Sequence, residues 1–267
     1  MLVGQERLKR FVSSWDVPPR LTILSGDLGS GRNTAIGHIC GKFGYDVIEA
    51  PVRAEDMREL IATSYTLPGP TFLVARDGAD MSPACVASLL KATEEPPRNA
   101  YFIIRTSGAV IETLRSRAFL YEMSPYTDDE IRRYCSDNGN AAIYDRYGKV
   151  IRSIGQARKF LSSPVDDISE YCILIADHIG DTCIGNVLKI TSRLNMTDSV
   201  SDKWDITVFL AILERQFLER LKAVRKDEFF QAMFAIQRLR NDLRTNGIDR
   251  QCLFDNFLVD LSNILSI

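Results

Sequence analysis

Gly26-Asp27-Leu28-Gly29-Ser30-Gly31-Arg32-Asn33 is the stretch of this sequence best suited to holding phosphate. Gly26, Gly29 and Gly31 let the backbone turn tightly and aim amides at phosphate oxygens. A helix starting just after them would add the favourable field of its N-terminus. Arg32 brings a positive charge to that turn and Asn33 a carboxamide. Further on, Phe72-Leu73-Val74-Ala75 runs into Arg76-Asp77, a place where acidic side chains would position magnesium and polarise a water.

The spacing from Gly26 to Gly31 is that of a P-loop, G-x-x-x-x-G-K-[ST]. Two chemical positions depart from it. Arg32 stands at the lysine position, keeping the charge but not the compact ammonium. Asn33 replaces the hydroxyl residue that would hold magnesium, and Thr34 comes one residue late. A third departure is at Arg76-Asp77: a Walker B strand ends in acidic residues, and by resemblance to such ATPase sites Arg76 falls on the magnesium-binding position and Asp77 on the one after it. An arginine there would repel a metal ion. In the other register Arg76 points outward and Asp77 coordinates.

The elements that would position these residues follow from apolar runs and breakers. Leu21–Ser25, Asp46–Glu49, Thr71–Ala75, Tyr101–Arg105 and Phe119–Glu122 read as strands. Ile36 to Phe43 and Glu55 to Ser64 read as helices, the second with Met57, Leu60 and Ile61 on one face. Ser82-Pro83 opens another helix, with Ser as N-cap and Pro at the first helical position, and Pro96-Pro97 stops it. Strands alternating with helices imply a mostly parallel sheet covered on both faces, with ligands at the carboxyl ends of the strands.

After Ser124-Pro125 the strand signals cease. Thr127-Asp128-Asp129-Glu130 fits a capping box. Gly155 to Leu161 reads as a short helix and Ser162-Ser163-Pro164 as a linker. Beyond it the period is helical throughout. One stripe is Ile206, Phe209, Leu210, Leu213, Phe217 and Leu221; another is Phe230, Met233, Phe234 and Leu239. The last is Leu253, Phe254, Phe257, Leu258, Leu261 and Leu265.

The segment Leu89 to Glu122, LLKATEEPPRNAYFIIRTSGAVIETLRSRAFLYE, resembles the core of an AAA+ clamp-loader subunit of the DNA polymerase III gamma and delta-prime kind. Ser116-Arg117-Ala118 is similar to the Ser-Arg-Cys motif of that family, with Ala at the Cys position. Thr106 matches its sensor 1 position, Gly155-Gln156-Ala157-Arg158 its sensor 2, and Val3-Gly4-Gln5-Glu6 its N-terminal element near the adenine pocket. The resemblance covers residues 1 to about 163. It implies an α/β P-loop AAA+ domain over 1–124, a small helical lid over 125–163 and an all-α collar over 164–267. It also implies that Arg117 acts in trans on the nucleotide of a neighbouring subunit, where such an arginine accelerates phosphoryl transfer by about 10³–10⁵. Gly26, Gly29, Gly31, Arg32, Asn33, Asp77, Thr106 and Arg158 would form this chain's own degenerate nucleotide site. No cofactor is certain there, ATP with magnesium being the candidate. Implied partners are the other loader subunits, a sliding clamp and primed DNA met through phosphate. Bacterial members usually carry a four-cysteine zinc module in the AAA+ domain, and this chain lacks it.

Composition agrees with a protein of about two domains: 267 residues, 45% hydrophobic and 25% charged, with a net charge of −2. A free-standing nucleic-acid binder would be more basic. The six cysteines form no CxxC pair and there are two histidines, so a zinc site is not expected; each cysteine is expected to be a small buried or half-buried apolar group. Scattered cysteines, no apolar leader in MLVGQERLKRF and no run approaching about 18 apolar residues point to a cytoplasmic protein free of membrane. The leading expectation is a delta-prime-like loader subunit with little or no ATPase activity of its own. The alternative is an active AAA+ motor subunit with a divergent P-loop. A small-molecule kinase or helical scaffold would leave the Glu94 to Ala118 block unexplained.

Overall fold

The computed structural model describes residues 2–27, 29–51, 53–75, 81–108, 112–179, 194–195, 204–243 and 249–266. The chain divides into two compact units, one of residues 1–130 with 153–155 and the other of residues 131–152 with 156–267.

In the first unit the five apolar runs become five parallel strands: β1 (Leu21–Ser25), β2 (Asp46–Ala50), β3 (Thr71–Ala75), β4 (Ala100–Thr106) and β5 (Phe119–Glu122), in the order β2-β3-β4-β1-β5. Helices α1 (Glu6–Ser14) and α2 (Arg32–Phe43) cover one face; α3 (Ala54–Ser64), α4 (Pro83–Glu94) and the short α5 (Glu112–Arg115) cover the other. Alternation along β4 serves both faces at once. Tyr101 and Ile103 pack with Leu8, Ile36 and Ile39, while Phe102 and Ile104 pack with Met57, Ile61 and Leu89. A strand buried on both faces reads as a continuous apolar run, which is why β1, β3 and β4 stand out in the sequence.

Local signals set the boundaries. Ser82 accepts a hydrogen bond from the Cys85 amide at 3.3 Å with Pro83 at the first turn, and α4 stops at Glu94 before the two prolines. At the start of α6 (Asp128–Asp137) the capping box is closed: the Glu130 amide donates to Thr127 Oγ1 at 3.3 Å, and Glu130 Oε2 accepts from the Thr127 amide at 2.8 Å.

Beyond α6, the second unit holds α7 (Ala141–Tyr147), α8 (Ile154–Ser162, its first two residues in the first unit), α9 (Val165–His178), α10 (Ile206–Val224), α11 (Asp227–Asp242) and α12 (Arg250–Leu265). Its core joins Ile168 and Cys172 of α9 with Phe209 and Ile212 of α10 and Phe254 and Leu258 of α12. The Phe209 and Phe254 rings meet edge to face at 5.9 Å.

The expected α/β sheet domain followed by helices is what the chain forms; the one addition to the helical part among the described residues is a two-residue parallel pair, β6 (Leu194–Asn195) and β7 (Trp204–Asp205), too short for period-2 alternation to register. One expectation fails: of the stripe assigned to α11, Leu239 is buried and Met233 half-buried, but the two phenylalanines are not. Ala232, Ile236 and Leu239 are buried, whereas Phe230 and Phe234 are 51% and 62% exposed and stack edge to face on each other at 4.8 Å. Both sets recur at helical spacing, and the buried one is that of Ala232, Ile236 and Leu239.

Candidate functional site

The glycine loop leaves β1 at Ser25 and enters α2 at Arg32, with Gly31 as N-cap at φ 89°. Its first residue is tied to the next strand, the Gly26 amide donating to the Thr106 carbonyl at 3.0 Å. Inside the loop the Ser30 amide donates to the Asp27 carbonyl at 3.1 Å. Two contacts brace the loop through its carbonyls. Tyr126 donates its hydroxyl to the Ser30 carbonyl at 3.0 Å. The Gly155 amide donates to the Gly29 carbonyl at 3.3 Å. A Cβ at residue 155 would lie 2.7 Å from the Gly29 Cα, so only glycine fits there. Burial, and secondly the charge of Glu130, push the Tyr126 phenol above its ordinary pKa, which keeps it a neutral donor.

Arg32 is buried, 8% exposed, at the first residue of α2. Ser30 is buried to the same extent, and its Oγ has no hydrogen-bond partner. That hydroxyl turns back across the loop, 2.8 Å from where a Cβ on Gly26 would stand.

Asn33 is held by a residue that the sequence did not single out. Its Oδ1 accepts a hydrogen bond from Arg105 Nη1 at 2.6 Å, and Arg105 Nη2 lies 3.4 Å from Glu49 Oε2. Register produces this meeting. Arg105 pairs with Leu24 across β4 and β1, so it sits at the carboxyl edge of the sheet beside the loop. Following Tyr101 and Ile103 in the alternation, it projects toward α2. An arginine ending an apolar strand is the signal that could have found it.

The guanidinium decides whether magnesium fits. Asn33 stands where the motif has its magnesium-binding hydroxyl. Magnesium takes oxygens at about 2.0–2.1 Å, so an ion on Asn33 Oδ1 would stand roughly 4 Å from the guanidinium nitrogen. Repulsion there is on the order of 8 kcal/mol at an effective dielectric of about 20. The described residues do not fit a magnesium ion at Asn33. Arg76 and Asp77 lie outside the described residues.

The remaining positions divide between the two units. Thr106 is fully buried, and its Oγ1 both donates to the Gly108 carbonyl and accepts from the Gly108 amide, each at 3.1 Å, so it shapes the turn after β4. Arg117 follows α5 on the surface, its side chain 39% exposed; Nη1 donates to the Thr113 carbonyl at 3.0 Å and Nη2 to Glu94 Oε1 at 3.0 Å. Arg158 is exposed on α8, in the second unit. In the Val3-Gly4-Gln5-Glu6 element the working residue is Gln5, 6% exposed. Its Nε2 donates to the Ser124 carbonyl at 2.7 Å, and its Oε1 accepts from the Ser124 amide at 3.0 Å and the Tyr121 hydroxyl at 3.3 Å. It clamps the chain where β5 leaves the sheet.

Cys85, Cys135 and Cys172 are buried, Cys40 is half-buried and Cys252 exposed; Cys183 lies outside the described residues. Burial pushes the Cys40 thiol up to about 11, so it is not a thiolate nucleophile at neutral pH. Among the described residues no cluster of His, Cys, Asp or Glu could hold a metal ion, and no helix is long and apolar enough to cross a membrane.

No protein-family model matches the sequence, and no curated protein matches it. Solved structures do match in fold. One is a DNA polymerase III gamma subunit-related protein of Thermotoga maritima, with a TM-score of 0.53 and 16% identity, covering 97% of this chain and 98% of that one. Two are single-substitution variants of Thermotoga maritima RuvB. The first has a TM-score of 0.52 and 16% identity over 82% of this chain and 76% of that one. The second has a TM-score of 0.51 and 17% identity over 97% and 88%.

Proposed function

On this AAA+ fold of the clamp-loader and RuvB kind, we propose that the chain is a delta-prime-like subunit of a sliding-clamp loader. It offers Arg117 to the nucleotide of an adjoining subunit and turns over little or no ATP itself. The observation that carries this reading is the bond between Arg105 and Asn33, which puts a guanidinium where a hydrolysing site needs magnesium. The exposure of Arg117 supports the other half, because an arginine acting in trans must reach the surface. Its tether to Glu94 holds it at the end of the helix that precedes β4. The partners on this reading are the ATP-binding loader subunits, the clamp and primed DNA, with the helices of the second unit holding the assembly together.

One observation favours an active motor subunit instead. Arg32 keeps a buried positive charge at the first residue of α2, where the motif has its lysine. One measurement separates the readings, and a second tests the loader assembly that the first reading requires. Purified chain incubated with magnesium and ATP shows no turnover on the first reading and steady turnover on the second. Tagged chain brings down a clamp and an intact ATPase on the first reading; recovery of the chain alone counts against it.

A further inference from the structure

We propose that the glycine loop holds the phosphate chain of a nucleotide without a divalent ion, Arg105 serving as the built-in cation. The inference rests on the reading of this loop as non-hydrolysing and names its ligand.

Four observations meet at the loop. Arg105 is fixed at the motif's metal-ligand position, its side chain 20% exposed and oriented by Asn33 and Glu49. Guanidinium carries five N–H donors in a plane, of which these two partners take one each in the described contacts, and its fork matches phosphate oxygens in pairs. Arg32 places a second guanidinium at the start of α2, a helix of 12 residues whose N-terminus favours anions. The Ser30 hydroxyl, buried and unpartnered within the loop, is a donor wanting an acceptor. Finally, Tyr126 and Gly155 bind the loop by the carbonyls of Ser30 and Gly29. A planar trans peptide points its N–H away from its C=O, so the Gly31 amide faces opposite to Tyr126. Of the two peptides braced by their carbonyls, the one ending in Ser30 spends its N–H on the Asp27 carbonyl at 3.1 Å, so the Gly31 amide is the donor that this bracing turns toward a ligand.

Lysine with magnesium would bring a charge of +3 to a phosphate chain; Arg32 with Arg105 brings +2 and no Lewis acid. Such a site neutralises phosphate without polarising an attacking water, which suits a nucleotide that is retained rather than consumed.

Calorimetric titration of the purified full chain with ADP, ATP and inorganic phosphate tests this, each in EDTA and in millimolar magnesium. ADP or ATP is expected to bind in EDTA within about threefold of its affinity in magnesium. Arg105→Gln is expected to weaken metal-free binding by at least about tenfold while the melting temperature stays close to wild type. Inorganic phosphate displacing ADP at comparable concentration would show that a single phosphate suffices and would overturn the nucleotide as the ligand. Binding only with magnesium, no binding at millimolar nucleotide, or unchanged metal-free binding by Arg105→Gln would overturn the proposal. Should Arg105→Gln not fold, the wild-type comparison of EDTA with magnesium decides. Failure here leaves the trans role of Arg117 standing, and loss of that role leaves metal-free binding standing.

Discussion

Arg117 and Glu94 are 23 residues apart in sequence and joined at 3.0 Å in the fold. The pair links the end of α4 to the turn after α5, so the carboxylate of the Glu-Glu-Pro-Pro segment holds the arginine of the Ser-Arg-Ala segment. Two motifs with no sequence contact become one surface feature.

Both side chains of that pair are well exposed, and exposed ion pairs contribute about 0–1 kcal/mol. Arg117→Ala should therefore shift the urea midpoint very little and leave the far-ultraviolet spectrum unchanged. A large loss of stability would mean that Arg117 holds the fold rather than serving a neighbour.

Gln5 makes a different kind of contact, buried and with three polar partners. Gln5→Ala leaves the buried Tyr121 hydroxyl and the partly exposed Ser124 backbone without this partner, a cost of about 1 kcal/mol. Equilibrium unfolding should show it. An unchanged midpoint would show that the clamp on the chain leaving β5 is not needed.

Gly155→Ala should be damaging for a steric reason. The added methyl would meet the Gly29 backbone at 2.7 Å, and backbone cannot rotate away as a side chain can. We expect a loss of about 1–3 kcal/mol and weaker phosphate binding at the loop. Wild-type stability in this variant would contradict the close approach of Gly155 to Gly29.

Asp205 gives the second unit a pH dependence. It caps α10, accepting from the Thr207 amide at 2.8 Å and the Val208 amide at 3.2 Å, and pairs with Lys159 at 2.9 Å. Burial alone would raise its pKa; the Thr207 hydrogen bond, Lys159 and the Val208 amide outweigh burial and hold it below the ordinary 3.8. A carboxyl depressed in the folded state stabilises above its unfolded pKa, and that contribution fades as pH falls through the folded value. Asp205→Ala should cost about 1–2 kcal/mol at pH 7, and the gap from wild type should narrow below about pH 4. A gap constant down to acid pH would contradict the ionised cap.

The sheet could be read from the sequence because its central strands are buried on both faces and bounded by glycine or proline. Helix starts at Ser82 and Thr127 were equally legible, since capping is local chemistry. What escaped depends on tertiary register. Arg105 meets Asn33 only because β4 lies beside β1 with Leu24 opposite Arg105, and nothing local encodes that pairing. Tyr126 lies in an irregular stretch, and no period predicts its bond to Ser30. Phe230 and Phe234 mislead for the opposite reason: their size makes them look like core, while Ala232 and Ile236 take the packed face.

The central claim is that this chain assists hydrolysis at a neighbour's site and not at its own. ATP turnover by the complex that co-purifies with the tagged chain tests it, comparing Arg117→Ala with Arg32→Ala. The account predicts that Arg117→Ala lowers turnover at the served site by about 10³-fold or more, while Arg32→Ala leaves turnover intact. Undiminished turnover with Arg117→Ala, together with a loss on Arg32→Ala, would contradict it.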